Sequence, residues 1–216
     1  SLSKFGSKLG LERIQRIMDR LGNPERSLRF IHVAGTKGKG SVCALTARML
    51  EEAGLNVGLY IRPSLVNVSE RISINGQMIS PADFLEAFAA VWDAVGTVSE
   101  DDPVTVFEVF TAIAIMHFAR RKVDVVVWEV GLGGKYDATN VIPVPEVAVI
   151  TNIGLEHTDR LGKTVEAIST NVPARLSSGG NNCGIRFIIG VNALTASWIN
   201  DVARLAMPGT SGTRAR

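Results

Sequence analysis

The chain is poor in cysteine, with only Cys43 and Cys183 in 216 residues, which excludes a disulfide framework. Cys43 falls in a helical apolar pattern and is expected to pack as a small apolar residue. No apolar run reaches membrane-spanning length and no signal-peptide pattern opens the chain, so a soluble cytoplasmic protein with no membrane partner is expected. The formal net charge is only +2, which gives no basis for nucleic acid as a partner. Hydrophobic residues make up 46%, which excludes a disordered chain; the length allows one domain or two small ones. The chain opens on Ser1 rather than methionine, as a fragment would.

What is present is arranged around one glycine-rich loop, Ala34-Gly35-Thr36-Lys37-Gly38-Lys39-Gly40-Ser41. A strand-like stretch at 28–33 precedes it. A helix at 41–53 follows, with Val42, Leu45, Met49 and Leu50 at helical spacing and Gly54 as its stop. Glycines between a buried strand and a helix start let backbone N–H groups converge on an anion, and the helix N-terminus adds positive potential. Lys39 is placed to reach the outer phosphates of a nucleotide, and Ser41 to meet a magnesium ion. The strict Walker spacing is not met, because Val33 stands where its first glycine belongs and Gly40 separates Lys39 from Ser41.

The remaining pattern predicts an α/β fold with a mostly parallel sheet, helices on both faces and a small β-hairpin. Strands are expected at 56–61, 123–130 and 147–152, apolar throughout as in a parallel sheet. Asn75-Gly76 marks a hairpin, and Ser80-Pro81 starts a helix that buries Phe84, Phe88 and Val91. Residues 10–21 read as an amphipathic helix whose charges, Arg13 and Arg16 among them, form a solvated face. Residues 105–120 read as a buried helix carrying His117, expected as a hydrogen-bonded core histidine. The same helix carries Glu108, which needs a partner or a site because an unpaired buried charge is costly. The acidic loop with Glu100, Asp101 and Asp102 is read as solvated. Glu129 ends one strand before Gly131-Leu132-Gly133-Gly134, and Glu156-His157 follow another. Ligands of open parallel sheets bind at such carboxyl ends. Lys39, Ser41, Glu129 and His157 are therefore expected to share a site.

Several segments carry a resemblance: FG with KLGLERI at residues 5–14, LGNP at 21–24, IHVAGTKGKGS at 31–41, ERISING at 70–76, EVGLGGKYDATNV at 129–141 and ITNIGLEHTDRL at 150–161. Together they resemble the amino-terminal half of the folylpolyglutamate synthase/dihydrofolate synthase family, within the Mur ligase superfamily. The resemblance implies a P-loop NTPase-like Mur ligase central domain. It also implies an ATP- and Mg2+-dependent ligase that phosphorylates a folate or dihydropteroate carboxylate, whose acyl phosphate is attacked by the amino group of L-glutamate. Carried over, Gly35, Thr36, Lys37, Gly38, Lys39, Gly40 and Ser41 bind ATP. Lys39, Glu129 and His157 are catalytic, with Ser41, Glu129 and His157 toward the metal. Thr105, Val106, Phe107, Glu108, Tyr136, Asp137 and Ala138 line the pterin region. A monomer is expected.

Three departures stand out. Lys37 replaces the family's asparagine. Ile61-Arg62-Pro63-Ser64-Leu65 replaces Thr-Ser-Pro-His-Leu, whose serine is a magnesium ligand. Thr170-Asn171-Val172-Pro173-Ala174 lacks the family's lysine, which is carbamylated and helps hold a metal. Residues 1–168 are expected to form the ATP-binding unit. Residues 169–216 are expected to be a divergent or frameshifted tail, with a linker at 177–182, a strand at 185–191, an amphipathic helix through Leu194 to Leu205 and disorder from Pro208. The family's carboxy-terminal domain is expected to be missing, so a non-catalytic remnant that binds nucleotide or pterin is the alternative. A Mur-type peptidoglycan ligase is a further rival.

Overall fold

Short valine- and isoleucine-rich runs build one sheet because both of their faces are covered. The computed structural model describes residues 10–96 and 102–172, with the backbone of one further strand at 186–189. The strands are β1 (Phe30–Ala34), β2 (Val57–Tyr60), β3 (Ile72–Ile74), β4 (Gln77–Met78), β5 (Val125–Glu129), β6 (Val147–Ile150) and β7 (Arg186–Ile189). Their order across the sheet is β4-β3-β2-β5-β1-β6-β7. β2, β5, β1, β6 and β7 run parallel, while β3 and β4 form an antiparallel hairpin on the β2 edge. The helices are α1 (Glu12–Arg20), α2 (Lys39–Glu52), α3 (Pro81–Val95), α4 (Val106–Arg121) and the short α5 (Thr158–Leu161) and α6 (Val165–Ser169).

Alternation along the strands divides the core in two. Phe30, Tyr60, Ile72, Val126 and Trp128 face α1, α3 and α4. Ile31, Val33, Val57, Val125, Val127, Val147 and Val149 face Cys43, Ala47 and Leu50 of α2. Trp128 is fully buried, stacked on Tyr60 at 4.4 Å between ring centres, and its indole N–H donates to Thr139 O at 2.9 Å. No helix among the described residues is long and apolar enough to cross a membrane.

Local chemistry sets the element ends. Asn75 and Gly76 both take positive φ, 49° and 72°, as the tight turn between β3 and β4 requires. The Ser80 hydroxyl accepts the Asp83 N–H at 3.1 Å and caps α3, behind Pro81 at the first helical position. The expected strand near residues 185–191 is found as β7, which pairs with β6.

Five expectations are corrected by packing. α2 begins at Lys39 rather than Ser41, and its buried face runs through Cys43, Thr46, Ala47 and Leu50, leaving Leu45 57% exposed. Phe84 and Phe88 are only half-buried at the margin of the core. The His117 side chain is buried but makes no hydrogen bond among the described residues; it lines an open groove with Asp83 and Arg121, whose ion pair at 2.7 Å spans that edge. Arg13 is not on a solvated face: it is 6% exposed and its Nε donates to Glu108 Oε1 at 2.9 Å. The helical register brings Arg13 round with Ile14 and Ile17 toward α4, where Glu108 is waiting. Asp102 joins the pair through Arg13 Nη1 at 2.6 Å, so this acid of the loop is engaged rather than solvated. Expectations for residues 1–9, Glu100, Asp101, the linker, Cys183, the 194–205 helix and the final segment lie outside the described residues.

Candidate functional site

The glycine-rich loop sits where β1 hands the chain to α2. Gly35 has φ 133° and Gly38 has φ 81°, conformations that glycine adopts without a Cβ penalty. The loop is laced to the segment after β6. Thr36 N–H donates to Asn152 O and Lys37 N–H to Asn152 Oδ1, both at 3.0 Å. The Thr151 hydroxyl donates to Lys37 O at 2.6 Å, and Gly154 N–H to the Thr36 hydroxyl at 2.9 Å. Thr36 and Lys37 therefore do not offer their backbone N–H groups to a ligand. The first helical hydrogen bond is Val42 N–H to Gly38 O, so among the described residues the N–H groups of Gly38, Lys39, Gly40 and Ser41 have no partner and open a helix start suited to an anion. Lys39 Nζ folds back onto Gly35 O at 2.8 Å and Thr36 O at 3.2 Å, neutral acceptors that a phosphate outcompetes. The Lys37 side chain is exposed.

Sheet order places the other candidates beside the loop, since β5 and β6 flank β1 directly. Glu129 at the end of β5 is 4% exposed and accepts the Arg62 N–H through Oε2 at 3.0 Å. A Cβ on Gly40 would stand 3.7 Å from that oxygen, so the carboxylate lies against the first turn of α2. Burial raises the Glu129 pKa above its ordinary value, partly offset by the Arg62 N–H and the charges of Lys39 and Arg62. Past β6, Glu156 and His157 line a small cavity with Gly35, Lys39, Gly131 and Asn152. His157 is exposed and takes φ 52° as the residue before α5. Four groups named from sequence thus gather at one sheet edge, although the order of strands could not be read from any of them.

No three His, Cys, Asp or Glu side chains converge on a metal position among the described residues. The donors do fit a magnesium ion whose shell is completed by phosphate and water, because such ions take one or two carboxylates and keep several waters. Glu129 supplies a buried carboxylate whose Oε1 has no partner among the described residues, and Ser41 an exposed hydroxyl on the first turn of α2.

The raised pKa has a signed consequence. The native state holds the Glu129 proton more tightly than the unfolded chain, so stability falls as pH rises from the ordinary glutamate value through the raised one. Glu129→Gln should melt at or above the wild-type temperature at pH 7, because the amide oxygen can still accept the Arg62 N–H. The difference should shrink as pH is lowered through the raised pKa. Melting curves between pH 4 and 7.5 check this; a variant markedly less stable than wild type at pH 7 would contradict it.

The residues assigned to a second subsite divide by use. The Glu108 carboxylate is committed to Arg13 and to the Thr105 N–H at 2.7 Å and hydroxyl at 2.8 Å, forming a capping box at the start of α4. It anchors the helix. Val106 is 38% exposed, and Phe107 is half-buried under Arg62, 4.6 Å from its guanidinium carbon to the ring centre. Asp137 accepts from Gly131 N–H, Leu132 N–H and both Thr139 donors, and so clamps the loop after β5. Ala138 is buried, while Tyr136 is 45% exposed beneath Lys135. Sequence reasoning missed Thr151 and Asn152 as supports of the loop; their only signal was their place at the end of a predicted strand.

A parallel sheet with an open helix start after β1, a lysine on it and a buried glutamate at the neighbouring strand end define an α/β domain of the P-loop type. The chain belongs to the Mur ligase family, whose middle-domain profile matches residues 33–208. That match continues past Ser169, where inspection of the sequence finds no resemblance. The chain is 44% identical over 169 residues to the dihydrofolate synthase/folylpolyglutamate synthase of Bacillus subtilis, covering 77% of this chain and 39% of that protein. It superposes on E. coli FolC in complex with DHPP and ADP with TM-score 0.77 and 36% identity, over 94% of this chain and 47% of that one. A bifunctional folylpolyglutamate synthase/dihydrofolate synthase with Mn, AMPPNP and L-glutamate bound aligns with TM-score 0.72 and 35% identity, over 87% and 49%. The chain thus spans less than half the length of these relatives.

Proposed function

We propose that this chain is the nucleotide-binding part of an ATP-dependent ligase that joins L-glutamate to a folate or dihydropteroate carboxylate. The observation that carries the reading is the open helix start at Gly38–Ser41 beside Lys39 and the buried Glu129, in a chain whose relatives are named for this reaction. In the reaction, a carboxylate oxygen of the acid attacks the γ-phosphorus of ATP and ADP leaves. The amine of glutamate then attacks the acyl carbon, phosphate leaves and the amine gives up a proton.

The residues divide this work by chemistry. The free N–H groups of Gly38 to Ser41 bind phosphate oxygens, and Lys39 exchanges its two carbonyl contacts for them, offsetting charge that builds during transfer. Ser41 and Glu129 would hold the divalent ion, and His157 lines the cavity that contains Lys39. Magnesium, when bound, neutralises the γ-phosphate oxygens and orients them for in-line attack. The half-exposed Tyr136 and the half-buried Phe107 are the aromatic residues assigned to a flat ring, whereas the Glu108 and Asp137 carboxylates are spent on holding their own segments. A cytoplasmic monomer with small-molecule substrates and no nucleic acid fits this role.

The test is direct titration of the 216-residue chain with a magnesium–ATP analogue, followed by incorporation of labelled glutamate into pteroate. Nucleotide binding is expected, with very weak or no incorporation by this chain alone. Lys39→Met should weaken nucleotide binding by about tenfold or more, since a charge-assisted hydrogen bond contributes roughly 1.5–3 kcal/mol. A chain that binds no nucleotide would overturn the reading.

A further inference from the structure

Arg62 is a half-buried cation whose guanidinium has no hydrogen bond or ion pair with any described residue. Its backbone is held firmly, with the N–H on Glu129 Oε2 at 3.0 Å, one strand away from the phosphate loop. The guanidinium lies over Phe107, whose ring in turn stacks toward Tyr60 with centres 6.5 Å apart. Nη1 lies beside Gly131: a Cβ built there would stand 2.6 Å from Asp137 Oδ2, 2.8 Å from Nη1 and 2.9 Å from Phe107 Cζ, and Asp137 is nonetheless outside ion-pair distance of Arg62. Gly131 also lines the cavity that contains Lys39. Arg62 therefore lies against the same glycine that lines the cavity containing Lys39.

The neighbouring carboxylates do not serve this cation. Glu129 takes only the Arg62 backbone N–H, and Asp137 already accepts four donors of its own loop. Arginine offers a rigid fork that matches the paired oxygens of a carboxylate or phosphate, and leaving it half-desolvated and unpaired is unfavourable. Its stacking on Phe107 fixes the plane of the fork without using any of its N–H donors.

We infer that Arg62 is an anion-recognition residue that receives a charged oxygen pair of the bound reactants where they meet beside Gly131. Resting on the ligase reading above, this is either the carboxylate of the acid substrate or the terminal phosphate of ATP. Arg62 thus binds substrate at the junction of the two subsites, and its charge favours bringing the two anions together.

Calorimetric titrations of wild type, Arg62→Lys and Arg62→Met test this with four probes: pteroate, the neutral carboxamide of pteroate, magnesium–AMPPNP and magnesium–ADP. If the carboxylate is the partner, Arg62→Met should bind pteroate about tenfold or more weakly, with the carboxamide unaffected and Arg62→Lys restoring part of the loss. If the terminal phosphate is the partner, AMPPNP affinity should fall by a similar factor while ADP affinity holds. Equal losses for pteroate and its carboxamide would show packing alone and overturn the inference, as would unchanged affinity for every probe. Melting curves of both variants show that the fold is kept; if Arg62→Met is unstable, the Arg62→Lys comparison of charged and neutral probes decides. Wild-type binding of nucleotide with no Arg62 effect defeats this inference alone, whereas a wild type that binds none of the four probes defeats the ligase reading with it.

Discussion

Gly35→Ala is expected to abolish nucleotide binding and to lower the melting temperature in the same variant. The φ of 133° at Gly35 lies where side-chain-bearing residues are strained by about 1–3 kcal/mol. The new methyl would also clash with the Thr151 hydroxyl and stand 3.0 Å from backbone atoms of Thr151 and Asn152. The hydroxyl can rotate away only by giving up its bond to Lys37 O, and the backbone contacts cannot be relieved without parting the loop from β6. We expect a loss of about 2–3 kcal/mol, or roughly 5–10 °C for a chain of this size. The N–H groups that converge on phosphate would be dispersed with the loop. Gly40→Ala is the control: a Cβ there touches only Glu129 Oε2 at 3.7 Å, within a helix, and should leave the melting temperature unchanged. Thermal melts and titration with a fluorescent ATP analogue measure both effects; wild-type melting of Gly35→Ala would refute the strain argument.

Arg13→Met should cost about 3–5 kcal/mol of stability, because removing one partner of a buried ion pair leaves the other charge uncompensated. Arg13 and Glu108 are 6% and 4% exposed, and the pair ties α1 to the start of α4. Thr105 keeps two bonds to Glu108 Oε2 in the variant, which places the expected loss near the lower end of that range. Glu108→Gln should cost less, since Asp102 still faces Arg13 and the amide oxygen can still accept from Thr105. Urea unfolding of both single variants and the double variant gives the coupling between the two side chains, expected at about 1–3 kcal/mol. A loss below about 1 kcal/mol for Arg13→Met would show that the pair contributes little. Neither residue belongs to the nucleotide cavity, so binding should change only as far as the fold does.

These two sites also mark the boundary of what was legible in the sequence. The strands, the loop, the Asn75-Gly76 turn and the Ser80 cap were readable because each is decided by neighbours a few residues apart. Lys39, Glu129 and His157 were readable as candidates because each follows or ends an apolar strand. Arg13 was misread as solvated because a charged residue one step from an apolar stripe is ordinarily exposed. Only the approach of Glu108, 95 positions away, makes its burial tolerable. The start of α2 was misplaced by two residues because Lys39 and Gly40 carry no helix signal of their own.

The sequence by itself determined the class of fold, the phosphate-binding loop and the residue types at the strand ends, since local periodicity and glycine chemistry suffice for those. Tertiary structure alone decided which ends adjoin, which loop donors stay free, and which charges are spent on architecture. Asn152 takes two N–H groups of the loop, Asp137 is consumed by its own turn, and among the described residues Arg62 is left with an unused fork over Phe107. Hydrogen-bonding capacity is finite, and which partners reach a given group depends on chain segments brought together only by packing; no local pattern encodes that allocation.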